Sequence, residues 1–245
     1  MKYITSCISI LLFLLSCDNK DANDCVKKTG DILDYQVELS EAFDAIHIYS
    51  NVEVEIKQAP QQAVVLSTGK NLYDEISIEV EGGVLTFRND NSCNWAREYG
   101  TTKIQISTPD LKQIIYEGGA TIKSVNTLVF DTLSIDSKDS SGDYILDIVS
   151  NELNITTKRI SNFYITGTVN DLNLDFQTGD GRFYGKDLIA QNVFFYQNGT
   201  NDIMVYPVQT LEGIIDRYGN VIYYNAPINP PKVEKYSKGK LIGSY

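Results

Sequence analysis

The chain has 245 residues, with 21 Lys+Arg against 32 Asp+Glu and a formal net charge of −11. Such an acidic balance argues against nucleic acid and against electrostatic binding to anionic lipid, and it leaves neutral glycans, basic patches and cations as compatible partners. The length suits one elongated β-fold or two small lobes.

Residues 1–16 read as an export signal. Lys2 is their only charge, Ile8 to Leu15 is an apolar run broken by Ser9, and small Ser16 precedes Cys17. The run is shorter than the ~20 apolar residues of a membrane-spanning helix. Leu14-Leu15-Ser16-Cys17 resembles a bacterial lipobox. It would make Cys17 the acylated (palmitate-bearing) first residue of an outer-membrane lipoprotein that faces outward. Removing Lys2 with the signal leaves 20 basic against 32 acidic residues. Residues 17–31 then form a lipidated acidic tether, since Asp18 to Asp24 offers no apolar anchor. Cys7 falls in the signal and Cys17 is the anchor, so Cys25 and Cys93 remain. Two thiols in an oxidising compartment pair as a structural disulfide, and Trp95 is expected to pack on it.

Residues 32–117 read as an N-terminal β lobe. Apolar residues alternate in Phe43 to Ile48, Val52 to Ile56, Ile76 to Val80, Leu85 to Phe87 and Ile104 to Ile106, giving strands with one buried and one wet face. Ala59-Pro60-Gln61-Gln62 and Glu81-Gly82-Gly83 read as turns, and only Asn71 to Glu75 suits a helical turn. His47, between Ile46 and Ile48, is expected to be exposed on its strand.

From about Gly118 to residue 235 a twenty-residue beat takes over. Tyr144, Tyr164, Tyr184 and Tyr224 keep it, with Met204 in the missing step, and so do Gly179, Gly199 and Gly219. Such a period in a strand-rich chain marks stacked β-coils. The reading is therefore all-β, a β-helix or solenoid with coils of about 20 residues, with the N-terminal lobe continuous with it or capping it. Leu133/Ile135, Leu153/Ile155, Leu172/Leu174 and Val193/Phe195 form one inward set. Phe163/Ile165, Phe183, Ile203/Val205 and Tyr223 form a second. The glycines suit corners with positive φ. Residues 236–245 read as a tail, and the segment from Asn229 onward is expected to cover the C-terminal end of the stack.

Phe43-Asp44-Ala45-Ile46, Gly69-Lys70-Asn71-Leu72, Gly83-Val84-Leu85-Thr86-Phe87 and Gly219-Asn220-Val221-Ile222-Tyr223-Tyr224 resemble the head GIN domain family, whose members carry the name putative auto-transporter adhesin. The resemblance covers roughly residues 25–235. Cys25-Val26-Lys27 and Ser92-Cys93-Asn94-Trp95 resemble a subgroup that keeps both cysteines. It implies a right-handed β-helix, an adhesin label and no catalytic residues to carry over. Tyr224-Asn225-Ala226-Pro227 departs from the family's Tyr-Tyr-Gly-x-Pro pattern, and Asn225 is expected to take positive φ in the glycine's place.

The candidate ligand-binding face is the tyrosine column. Strand parity turns Tyr144, Tyr164, Tyr184 and Tyr224 outward if Phe163 and Ile165 point inward. Stacked rings suit sugar or protein partners, although a ladder shielding successive coils has the same pattern. Asp147 and Asp187 share a column two coils apart, beyond the separation of a retaining carboxylate pair. Arg182 and Asp202, one coil apart, read as a cross-strand ion pair. No catalytic, metal or cofactor residues are assigned. The leading reading is a surface lipoprotein that binds a glycan or a surface protein through its flank without catalysis. It meets the membrane only through the anchor, leaves nucleic acid aside and is open to self-association. The alternatives are a β-helix polysaccharide lyase or hydrolase, and a purely structural envelope protein.

Overall fold

The computed structural model describes residues 27–91 and 100–245. The export segment, Cys17, Cys25, Cys93 and Trp95 lie outside the described residues, and with them the anchor and the disulfide expected above.

Strands follow from the alternation seen in the sequence. The N-terminal part contributes β1 (Ile32–Val37), β2 (Ala45–Ile48), β3 (Glu53–Gln58), β4 (Ala63–Gly69), β5 (Ile76–Glu81), β6 (Val84–Asn89), β7 (Lys103–Thr108), β8 (Gln113–Tyr116) and β9 (Ile122–Ser124). One 3-10 turn, Tyr73–Glu75, precedes β5. Long strands follow: β10 (Leu128–Ser137), β11 (Asp143–Thr157), β12 (Asn162–Phe176), β13 (Arg182–Gln197) and β14 (Ile203–Ile215). The chain closes with β15 (Val221–Tyr223), β16 (Lys232–Lys235) and β17 (Leu241–Gly243). Both expected turns are present, and Gly82 and Gly83 carry φ of 58° and 79°.

In β10, β11 and β12 the inward parity changes once along the strand, at a bend. In β11 the buried apolar residues are Tyr144, Leu146 and Ile148 before the bend and Leu153 and Ile155 after it. The inward parity changes at the bend, so one rung lines the core from two sides. The first halves stack into one face and the second halves into another. Parallel pairing carries both faces through β11, β12, β13 and β14. This is a β-solenoid of about 7 turns with coils of about 20 residues.

The N-terminal strands belong to the same stack. On the first face β3 pairs with β9, and β9 with β11. On the second face β2 pairs with β8, and β8 with β10. Antiparallel strands finish this end: β4 and β1 beyond β7 on the first face, β5 beyond β6 on the second. Antiparallel hairpins break the coil rule and so stop its propagation, the service a solenoid needs at its ends. At the other end β16 pairs with β14 and β17 with β15, so the tail from Asn229 onward adds a last partial rung, and residues 236–245 include the strand β17.

The first inward set stacks as expected. Leu133, Leu153, Leu172, Val193 and Leu211 are register partners, and so are Ile135, Ile155, Leu174 and Phe195. In the second set Phe163, Phe183, Ile203 and Val221 share a column, while Tyr223 lies opposite Val205. Of the three periodic glycines only Gly179 has positive φ, at 90°; a Cβ there would also lie 2.3 Å from the Arg159 carbonyl oxygen. Gly219 serves instead as a close approach, since its Cβ would meet the Asn201 carbonyl oxygen at 2.3 Å.

Two expectations fail locally. Asn225 does not take positive φ; its Nδ2 donates to the Pro207 carbonyl oxygen at 2.7 Å, so a side-chain hydrogen bond holds this turn. His47 does point away from Ile46 and Ile48, but it is not exposed. Its ring stacks on Tyr49 at 3.8 Å, Nε2 lies 2.9 Å from Glu117 Oε1, and the Arg88 guanidinium lies over the Tyr49 ring, 3.6 Å from its centroid. Three rungs are tied together there.

Cross-rung ion pairs are expected to make the N-terminal half sensitive to acid. Lys123 Nζ reaches Glu53 at 2.8 Å and Glu55 at 3.0 Å, and Lys103 Nζ reaches Glu53 at 3.2 Å. The hydrogen bond from Lys123, aided by Lys103 and opposed by partial burial, holds the Glu53 carboxyl below its ordinary 4.5. The His47 and Lys138 contacts do the same for Glu117. A carboxyl lowered in the folded state adds stability above its unfolded pKa, and that stability is lost as pH falls through the folded pKa. Urea midpoints are therefore expected to drop below about pH 5, and Glu53→Gln should make that acid slope shallower. An unchanged slope would show that the Glu53 contacts do not persist in solution.

Candidate binding faces

The outer surface of the first face is set by register. Ile145 pairs with Tyr164, Tyr164 with Tyr184, Tyr184 with Met204, Met204 with Ile222, and Ile222 with Ile242. The Tyr164 and Tyr184 rings stack at 4.6 Å with 2° between their planes, the spacing of neighbouring strands. Ile145 is 50% and Tyr164 39% exposed. Next to the bend runs a second outward row, Val129, Val149, Thr168, Ile189 and Tyr206. Val129 is 54% exposed, and Val149 and Ile189 are also open.

Polar residues border these rows. Asp143, Asn162 and Arg182 lie on one side, with Asn162 Nδ2 donating to Asp143 at 2.9 Å. Between the rows Asp147 accepts hydrogen bonds from Thr127 and Thr166. Above the first row stand Lys123 and Glu55, opposite one another across β9 and β3. The result is two mainly apolar rows, several rungs tall, with a polar strip of Asp147, Thr166, Lys186 and Asp187 between them.

Two of the four expected tyrosines do not belong to the column. Tyr144 is fully buried, because the step from β11 to β12 is nineteen residues and Tyr144 lies opposite Phe163. A one-residue slip reverses every side chain on a strand. Tyr144 stacks on Phe163 at 4.6 Å and meets Tyr116 edge-on at 6.2 Å. Burial raises its hydroxyl pKa and that of Tyr116, the latter to about 12. Tyr224 keeps an outward parity but sits two residues beyond the column, because Ile203 pairs with Val221 at a step of eighteen. Its hydroxyl reaches the Met204 sulfur at 3.9 Å. Ile145 and Ile222 take the places expected for Tyr144 and Tyr224.

The carboxylates behave as surface groups. Asp187 pairs with Lys186 at 2.8 Å. Arg182 donates to Asn201 Oδ1 at 3.1 Å, whereas Asp202 accepts from Asn220, so the expected Arg182–Asp202 pair is replaced by two separate hydrogen bonds.

A groove on the second face has no counterpart in the sequence reading. It has a volume of about 880 Å³ and crosses five rungs, from β11 through β14 to β16. Phe194 and Tyr196 stand at its middle, between Asn173 and Asp175 on one side and Glu212 and Ile214 on the other. The signal was present: Val193 and Phe195 point inward, so Phe194 and Tyr196 must point outward.

Fold and surface together define a stacked-rung β-protein that presents preformed sheet faces. The chain belongs to the family described as "Putative auto-transporter adhesin, head GIN domain", whose model matches residues 42–227. No curated protein matches its sequence. Crystal structures share the fold. One is of a putative adhesin from Bacteroides fragilis NCTC 9343, 18% identical, covering 89% of this chain and 99% of that chain with a TM-score of 0.80. A putative lipid binding protein from Parabacteroides distasonis ATCC 8503 is 16% identical over 89% and 99%, with a TM-score of 0.63. A putative adhesin from Parabacteroides merdae ATCC 43184 is 16% identical over 89% and 98%, with a TM-score of 0.60.

Proposed function

We propose that this protein is a cell-surface lipoprotein, held through Cys17 and an acidic tether, that attaches to a partner protein by the outer surface of its first face. The observation that carries the reading is the pair of outward, mainly apolar rows, Ile145–Tyr164–Tyr184–Met204 and Val129–Val149–Thr168–Ile189, which flank a polar strip that includes Asp147 and Thr166. Exposed apolar rows bordered by polar groups mark a contact site. The strands that hold it are fixed by pairing on both sides, so little ordering entropy is lost on docking. The adhesin names of the family and of its structural neighbours agree with this mode.

Chemistry of a lyase or hydrolase would instead need carboxylates converging on one bond. Here Asp147 is taken up by two threonines and Asp187 by Lys186, each on the outer surface. Attachment of bacteria displaying the full chain is the test. Purified protein added in excess is expected to compete for attachment, and a polysaccharide panel is expected to give no new reducing ends or unsaturated products. Polysaccharide turnover, or attachment that free protein leaves untouched, would overturn the proposal.

A further inference from the structure

We propose that the groove on the second face is a separate binding site and that it takes a linear, uncharged glycan. The argument starts from an anomaly in a polar ladder. Register partners in one outward column are Ser134, Asn154, Asn173, Phe194, Glu212 and Lys232. Five of these six suit solvent; Phe194, in the middle, is 39% exposed. Its neighbour Tyr196 is held in place by a hydrogen bond from its hydroxyl to Asp216 Oδ2 at 2.8 Å. Two aromatic rings thus line the groove, Phe194 exposed and Tyr196 half-buried.

The polar groups around them keep spare hydrogen-bonding capacity. Asn173 Nδ2 donates to Asn154 Oδ1 at 2.8 Å and is 3.4 Å from Glu152. The side-chain oxygen of Asn173 remains an acceptor, and Asn154 Nδ2 donates only over a long 3.4 Å contact to Ser134 Oγ. On the other side Lys232 Nζ donates to Glu212 Oε1 at 2.7 Å, which leaves two ammonium protons and most of the carboxylate lone pairs. Amides, a carboxylate and an ammonium flanking aromatic rings match a pyranose, which has apolar C–H faces and a belt of hydroxyls.

The shape favours a chain of such rings. Rungs repeat at about 4.8 Å, so five rungs give hydrogen-bonding positions at a spacing close to one sugar unit over roughly 20 Å. The charge selects its type. Asp175, Glu212 and Glu234 oppose one lysine in the lining, on a protein of net charge −11, which disfavours uronates and sulfated sugars. A fatty acid would meet the same repulsion at its carboxylate and would leave the spare hydrogen-bonding positions of the amides and of Glu212 without partners.

The site is independent of the first face, and the experiment keeps the two apart. Full-length protein is applied to an array of linear neutral, N-acetylated, uronate and sulfated oligosaccharides, with palmitate binding measured in parallel. Expected hits are neutral or N-acetylated, gain affinity from trisaccharide to hexasaccharide, and weaken at least about tenfold in Phe194→Ala. Phe194→Trp should retain them, and Tyr164→Lys on the first face should leave them unchanged. Thermal unfolding of each variant shows that loss of binding is not loss of fold. Absence of neutral hits, hits confined to anionic sugars or palmitate, or hits retained by folded Phe194→Ala would each overturn the proposal.

Discussion

Phe163→Ala is expected to cost about 3–5 kcal/mol of folding stability, the usual range for truncating a buried aromatic side chain. Phe163 is fully buried, stacks on Tyr144 at 4.6 Å and meets Phe176 edge-on at 5.9 Å. Phe183 lies directly opposite it on the next rung. Neighbouring rungs are hydrogen-bonded along their length, so they cannot collapse into the space the ring leaves. With about 5–15 kcal/mol of total stability typical of a folded protein, this one change removes a large share. Urea unfolding measures it directly. Tyr164→Ser is the matched control, one residue along on the open surface, and should stay within about 1 kcal/mol. If the two variants lose similar stability, Phe163 does not anchor the rungs as its packing indicates.

Ile145→Lys combined with Tyr164→Lys is expected to reduce attachment about a hundredfold while leaving the fold intact. Tyr164 lies within the first row between Ile145 and Tyr184, and Ile145 closes that row beneath Lys123. A few apolar and aromatic anchors carry most of the energy of a contact, often 2 kcal/mol or more each. Two ammonium groups there must also be desolvated without a partner. Lys158→Glu, at an exposed corner, is the charge-changing control and should have little effect. Attachment of displaying cells under flow gives the readout, and thermal melting confirms folding. Full attachment by the doubly substituted, folded protein would move the contact surface elsewhere on the molecule.

The two faces also explain why the aromatic content is divided as it is. Tyr116, Tyr144, Phe163, Phe176 and Phe183 fill the interior, where large rings bridge the gap between the faces. Tyr164 and Tyr184 on one side and Phe194 on the other contribute little to that core. Their exposure is what makes them informative, because nothing in the packing of the rungs requires an aromatic side chain there.

The repeat itself was legible in the amino-acid order. Alternation in Leu153-Asn154-Ile155 and Leu172-Asn173-Leu174 names the inward residues, and the beat near twenty names the coil. Local pattern suffices for this, because each rung buries its own apolar side against the next. The alternation also implied an outward Phe194 and Tyr196, although the groove they occupy depends on which residues flank them on other rungs. What the order could not supply was the number of residues spent at each corner. Corners absorb insertions and deletions without a change in local pattern, so steps of nineteen, twenty and eighteen look alike until hydrogen bonds fix the pairing. A single residue of slip then decides which side of a strand faces water. That is why Tyr144 belongs to the core, Ile145 to the surface, and the proposed contact face to a set of residues only the assembled rungs reveal.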